Sequence, residues 1–275
     1  MKQIEQTELL QLQLDMLRQI DSFCRKENIE YFLAWGTGIG AVRHGGYIPW
    51  DDDIDIAMIR PNYDRFIKLF NNTYPNLTVY APELDWSYYA PYANVCDTRT
   101  ILLEGANGHV GNEVGIKIDV FPIDAVPSEE SALKEMMEKS LRLKNYCFFK
   151  RRNLFKLPLN NKADRKEFIK ILIWKILLLP WRYSTLQKKI HSLAMQTNWD
   201  TADNFMCIVF PSPNIKPCNK EVFNSYCDTK FESLTVRNIT QYDTYLRSLY
   251  GDYMQLPPAE QRIAVHHFKA YWKTN

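Results

Sequence analysis

The stretch that decides the fold is Trp35-Gly36-Thr37-Gly38-Ile39-Gly40, followed by Ile48-Pro49-Trp50-Asp51-Asp52-Asp53-Ile54-Asp55-Ile56. In an extended chain alternate side chains share a face, so Asp51, Asp53 and Asp55 converge while Asp52 and Ile54 point the other way. Like charges this close repel unless a cation sits among them, and hard oxygen ligands select Mg²⁺ or Mn²⁺ over zinc. Three aspartates alone would read as a solvated acidic turn after Pro49. The context argues for a site: a glycine-rich turn lies upstream, and an apolar strand with one carboxylate, Gly115-Ile116-Lys117-Ile118-Asp119-Val120-Phe121, lies downstream.

Working outward, Leu10, Leu14, Leu17, Ile20 and Cys24 recur at helical spacing and predict an amphipathic helix from Thr7 to Lys26. Tyr31 to Ala34 reads as a short buried strand running into the glycine turn, after which Ile39, Ala41 and Val42 open a helix that Gly45-Gly46 ends. Ile54 to Ile59 is the next strand. Arg60-Pro61 starts a helix that turns Tyr63, Phe66, Ile67 and Phe70 inward. Further strands are expected at Thr78 to Ala81, Pro91 to Cys96 and Ile116 to Phe121, with Pro122 and Pro127 punctuating the exit. These elements predict an α+β fold, a mixed sheet flanked by helices, with a core over residues 1–127.

The character changes after Ser128. A charged helical stretch carrying Met136, Leu141 and Leu143 leads into a basic and aromatic cluster from Lys144 to Lys156. Phe168 to Trp181 is apolar but interrupted by lysines, and too short for the ~20 apolar residues of a membrane span. It reads first as a buried helix, and second as a helix lying in a membrane interface. Residues 128–200 are therefore expected to form a helical insert, facing membrane or acceptor, and 201–275 a segment packing back on the core.

The chain has 275 residues, 46% hydrophobic and 24% charged, with a formal net charge of +2. That balance carries no global pull toward nucleic acid. The start lacks a basic segment followed by an apolar run, and the six cysteines form no Cys-x-x-Cys pair, which together suit a cytoplasmic protein with reduced thiols. No Cys/His pair has zinc-ligand spacing.

Backbone amides of Gly36, Thr37 and Gly38 at a helix start can cradle a phosphate, with the Thr37 hydroxyl as a further donor. Asp51, Asp53 and Asp55 can hold one or two divalent ions against it. Asp119 on a neighbouring strand can complete the metal site or take a proton from an attacking hydroxyl. Together they describe a phosphoryl-transfer site, where positioning and charge neutralisation do most of the work.

The run Gly36-Thr37-x-Ile39-Gly40-Ala41-x-Arg43-His44-x-Gly46-x-Ile48-Pro49-Trp50-Asp51-Asp52-Asp53-Ile54-Asp55 resembles the signature of the LicD family, whose members include bacterial phosphocholine transferases and which is similar to fukutin-type ribitol-phosphate transferases. Ile118-Asp119-Val120-Phe121-Pro122-Ile123-Asp124 resembles the family's second motif. Tyr245 to Pro258, with Arg262 and His266-His267, resembles its C-terminal one. The resemblance implies a nucleotidyltransferase-like fold with a helical C-terminal extension, and transfer of a phospho-substituent from a CDP-linked donor such as CDP-choline to a glycan hydroxyl, with CMP as leaving group. By motif position Asp51, Asp53, Asp55 and Asp119 would bind Mg²⁺ or Mn²⁺, with Asp53, Asp55 and Asp119 catalytic. Arg43, His44 and Arg99 are candidates for the donor phosphates. Trp35, Tyr47, Trp50 and Tyr89 are candidates for a cation-π surround of the headgroup, from clusters that also include Trp86, Tyr88 and Tyr92. His266 or His267 could carry a proton, while Tyr250 and Tyr253 read as core. Family members often carry a lysine where Asn94 stands here, which leaves the phosphate contact on that strand open. The acceptor would be a lipid-linked glycan, reached by peripheral contact at the inner face of the membrane. Two other readings keep part of this picture: transfer of the nucleotide itself to an acceptor, and a silent module that binds a choline-bearing glycan.

Overall fold

A computed structural model of the chain describes residues 1–104, 114–212, 215–263 and 268–274; His266 and His267 lie outside them. Strand β1 (Lys2–Ile4) leads to helix α1 (Gln6–Glu27), β2 (Phe32–Leu33), the short helix α2 (Trp35–Ile39), β3 (Asp55–Ile59), α3 (Arg60–Leu69), β4 (Leu77–Tyr80), β5 (Ala93–Asp97), β6 (Thr100–Glu104) and β7 (Lys117–Val126). Helices α4 (Glu130–Arg151), α5 (Lys162–Leu177) and α6 (Tyr183–Ala194) follow. The chain then runs through β8 (Asn204–Met206), β9 (Cys218–Asn219), β10 (Tyr226–Phe231), β11 (Leu234–Ile239), α7 (Tyr242–Tyr250) and β12 (Phe268–Trp272). The fold is α+β, as expected, but its long helices after the core lie at 130–194, and the segment beyond them is mostly short strands around α7.

The central sheet has the order β2-β3-β7-β5-β4, extended by β8 and β9 from the second half of β7. Only β3 and β7 run parallel within it; the other pairs are antiparallel. Side-chain alternation sorts the strands into two cores. Ile56, Met58, Ile118 and Val120 pack with Leu17 and Ile20 of α1 and Phe66 of α3. Ala57, Phe121, Ile123 and Ala125 face the other way, toward Ile190 of α6 and Leu246 of α7. The period of two therefore also puts Asp55 and Asp119 on the second face.

Local chemistry explains the elements that the spacing predicts. Helix α1 ends at Asn28 in the left-handed region, its N–H reaching the Arg25 carbonyl, with Arg25 and Lys26 against the negative end of the helix dipole. Pro61 sits in the first turn of α3. Pro122, expected to close a strand, instead lies inside β7. It is tolerated because β5 pairs only up to Val120 and β8 begins only at Asp124, so the missing N–H falls where that side offers no strand partner.

The stretch from Phe168 to Trp181 is also corrected. Helix α5 buries Ile171, and Leu178 just beyond it, but leaves Ile169, Ile173 and Ile176 about half exposed. Among the described residues no helix is long and apolar enough to cross a membrane.

Candidate active site

The glycine turn and the acidic run are locked together by small contacts. Trp35 enters α2 at φ 43°, a left-handed conformation unusual for a bulky residue, and Gly40 to His44 continue it as one wider π turn closed by Gly45 at φ 74°. A side chain at Gly36 would place its Cβ 2.7 Å from Asp51 Oδ2, so only glycine lets that carboxylate lie against the first turn of α2. The backbone N–H of Asp55 donates to the buried Thr37 hydroxyl at 2.8 Å. From outside, Gln13 of α1 donates to the Asp52 carbonyl at 3.1 Å.

Strand register assembles the rest. Asp55 pairs with Asp119 across the parallel β3–β7 ladder, and Asp119 pairs with Asn94 across the antiparallel β7–β5 ladder. Asp55, Asp119 and Asn94 thus stand abreast on three adjacent strands, on one face. The Asn94 amide donates to Asp119 Oδ1, the Tyr92 hydroxyl donates to Oδ2 at 3.3 Å, and the Lys117 ammonium lies 3.4 Å from Oδ1 while also donating to the Tyr89 hydroxyl at 3.2 Å. Burial, then the charges of Asp53, Asp119 and Asp51, hold the Asp55 carboxyl well above the usual carboxylate range against the pull of Lys117. Among the described residues no three His, Cys, Asp or Glu side chains are drawn into a closed ligand shell. The donor set itself is all carboxylate oxygen, the ligand type that a hard divalent cation takes.

The other sequence candidates divide. Arg43 donates to the carbonyls of Tyr253 at 2.6 Å and Gln255 at 3.3 Å, tying the first motif to the third. It also donates to His44 Nε2 at 3.0 Å, and the His44 ring stands edge-on to Trp50, over which Arg262 lies at 5.9 Å. Tyr47 turns toward α1, donating to Gln13 Oε1 at 3.0 Å and packing on Phe231. Arg99 is not brought to the carboxylates: it lies past the far end of β5, where it grips Asp97 through two contacts of 2.6 and 3.0 Å and covers Trp272. Tyr89 is flanked by Lys117 and by Arg151, whose guanidinium sits 4.6 Å from the ring centre.

Trp35 belongs to an aromatic wall beside Asp119. Its ring meets Phe121 at 4.3 Å, Phe121 meets Tyr92 at 4.1 Å, and Tyr92 meets Phe210 at 5.5 Å. Phe121 was within reach of sequence reasoning, since i+2 from Asp119 shares its face; Phe210 carried no such signal. Tyr250, expected in the core, is 45% exposed over the whole residue; its phenol is nonetheless raised, first by the local loss of water around the hydroxyl and then by the charges of Asp55, Asp51 and Asp53. Tyr253 is buried as expected, donating to Asp243 at 2.8 Å.

A glycine-turn helix facing an acidic strand, with a further carboxylate on the parallel neighbour, is the layout of a nucleotidyltransferase-type domain. Residues 28–161 match the family model described as LicD/FKTN/FKRP, nucleotidyltransferase domain. The chain is 29% identical over 263 residues to the lipopolysaccharide cholinephosphotransferase LicD of Haemophilus influenzae, spanning 94% of each. Over residues 28–161, just under half of its length, the chain is similar to the LicD family. Shorter similarities join it to uncharacterized proteins of Rickettsia typhi, 37% over 54 residues (20% of this chain, 18% of the other), and Rickettsia prowazekii, 43% over 44 residues (16% of each).

Proposed function

We propose that this chain is a divalent-metal-dependent transferase that moves phosphocholine, or a similar phospho-substituent, from a CDP-linked donor to a hydroxyl of a surface glycan, releasing CMP. The observation that carries this reading is the register that sets Asp55 and Asp119 side by side behind the glycine turn. Asp51, Asp53, Asp55 and Asp119 would hold Mg²⁺ or Mn²⁺, which when bound neutralises charge on the phosphate oxygens. Asp119, oriented by Asn94, Tyr92 and Lys117, accepts the proton of the acceptor hydroxyl. Thr37 positions Asp55, and Tyr250 offers a phenol to the same cluster. The wall of Trp35, Phe121, Tyr92 and Phe210 suits a quaternary ammonium, which cannot donate hydrogen bonds and is held by ring faces. By analogy with the Haemophilus relative, whose name gives lipopolysaccharide as its acceptor, the acceptor is a lipopolysaccharide-type glycan; in this reading it is modified while lipid-linked at the cytoplasmic face of the membrane.

Calorimetric binding of CDP-choline, CDP-ethanolamine, CDP-ribitol and CDP-glycerol, each with and without Mg²⁺, tests donor and metal together. Tight binding of CDP-choline that needs Mg²⁺ is the expected result. No response to any CDP compound would overturn the donor assignment, and pyrophosphate rather than CMP among the products would replace it with nucleotide transfer.

Gly36→Ala probes the turn. The added methyl meets the Asp51 carboxylate, so turnover is expected to fall about a hundredfold, the cost of displacing a reacting group by about 1 Å. Steady-state kinetics beside a melting curve checks it, and unchanged turnover would show that Asp51 need not lie against α2.

A further inference from the structure

Helix α5 is apolar on two sides. Ile171 and Leu178 close onto the molecule, with Trp174 stacked on Phe149 of α4 at 5.4 Å. On the opposite side Ile169, Leu172, Ile173 and Ile176 recur at i, i+3, i+4, i+7 and are 37–56% exposed. Leu179, at 72%, prolongs the stripe beyond the helix end. No tertiary partner covers this face among the described residues, although four large aliphatic side chains in a row at that spacing make the continuous apolar stripe of a buried surface.

The charges around the stripe have one sign. Lys162 and Arg165 stand exposed at its N-terminal end, and Lys166 and Lys170 along one flank. The two acids of α5 are engaged elsewhere: Asp164 closes the capping box with Asn161, and Glu167 pairs with Arg152 at 3.4 Å. At the far end Trp181 is 39% exposed with the Lys189 ammonium 4.1 Å over its ring.

We propose that α5 is a membrane-interface helix, seating its Ile169–Ile176 stripe among the acyl chains of an anionic bilayer while its lysines meet the headgroups. Its 16 residues span about 24 Å, short of the ~30 Å hydrocarbon core, so it lies in the plane of the surface. Pairing this face with a second copy would set basic flank against basic flank, whereas a negative lipid surface complements it. The inference deepens the reading of a lipid-carried acceptor and rests on it for its purpose, but binding is measured without donor or acceptor, so either can fail alone.

The test is flotation of the full chain with phosphatidylcholine vesicles, with and without phosphatidylglycerol. The wild type is expected to float with the anionic vesicles and to be released by salt. Ile173→Glu/Ile176→Glu should weaken binding about tenfold or more, with melting temperature and CDP-choline binding unchanged. Lys166→Glu/Lys170→Glu should abolish the preference for phosphatidylglycerol. The proposal is overturned if the wild type stays unbound on both vesicles, if the isoleucine variant binds like wild type, or if sedimentation shows a dimer that this variant splits while vesicles are ignored.

Discussion

Asp55→Asn is expected to lower transfer by about 10²- to 10³-fold, the usual loss when one group of a preorganised electrostatic site is removed, and at the same time to raise the melting temperature of the metal-free protein. Asp55 is held among Asp53, Asp119 and Asp51 with its carboxyl pushed up in pKa, so its ionised form is a cost to the fold. The sign follows from linkage: a carboxyl with a raised folded-state pKa favours the fold at acidic pH, and that advantage is lost as pH rises through the raised value. The variant carries no such charge, so its stability gain over wild type should grow from acidic to neutral pH. A gain on the order of 1 kcal/mol at neutral pH corresponds to roughly 2–4 °C for a chain of this size. Mg²⁺ should stabilise the wild type, by relieving the same repulsion, and stabilise the variant much less. Melting curves at several pH values with and without Mg²⁺, beside turnover, make the test; retained activity together with an undiminished Mg²⁺ response would refute the role given to Asp55.

Arg60→Met is expected to cost about 3–5 kcal/mol, or roughly 10 °C in melting temperature. Arg60 is 7% exposed and its Nε lies 2.6 Å from Oδ1 of Asp124, itself 1% exposed; Nη1 also reaches Glu83 at 3.1 Å. Removing the guanidinium strands a carboxylate inside the protein, and the loss comes from that orphaned charge more than from the missing pair. The double variant Arg60→Met/Asp124→Leu should therefore recover more than half of the loss. Thermal unfolding of both variants decides it, and a single variant as stable as wild type would show the network to be dispensable. Asp124 lies in the same motif as Asp119 but five residues on, an odd spacing that puts it on the other face of β7, so one aspartate of the motif stands beside Asp55 and the other pairs with Arg60 in the interior.

Features set by local spacing are legible in the sequence. Helices α1 and α3 follow from apolar periodicity, and the shared face of Asp55 with Ala57 and of Asp119 with Phe121 is a property of any strand. Features set by pairing are not. That Asn94 meets Asp119 depends on the β5–β7 register, and that the third motif comes beside the glycine turn depends on α7 packing against α2. Arg99 illustrates the same limit: β5 runs antiparallel to β7, so moving from Asn94 to Arg99 leads away from Asp119, a direction that composition does not encode. Helix α5 misled for another reason. A helix apolar on both sides has the composition of a buried one, and only packing distinguishes the side that meets α4 from the side that meets nothing described.

The small sheet β1-β12-β6 joins residues 2–4 to residues 268–272 and these to residues 100–104. Its middle strand lies far downstream of both outer strands in sequence, so neither can find its partner until residues 268–272 have been made. During synthesis the first strand must wait, its edge unpaired, until about residue 272 has emerged. The closing of this sheet is therefore a late folding event with a large loop-entropy barrier, and the interval before it is when the nascent chain is most open to chaperones and to mispairing.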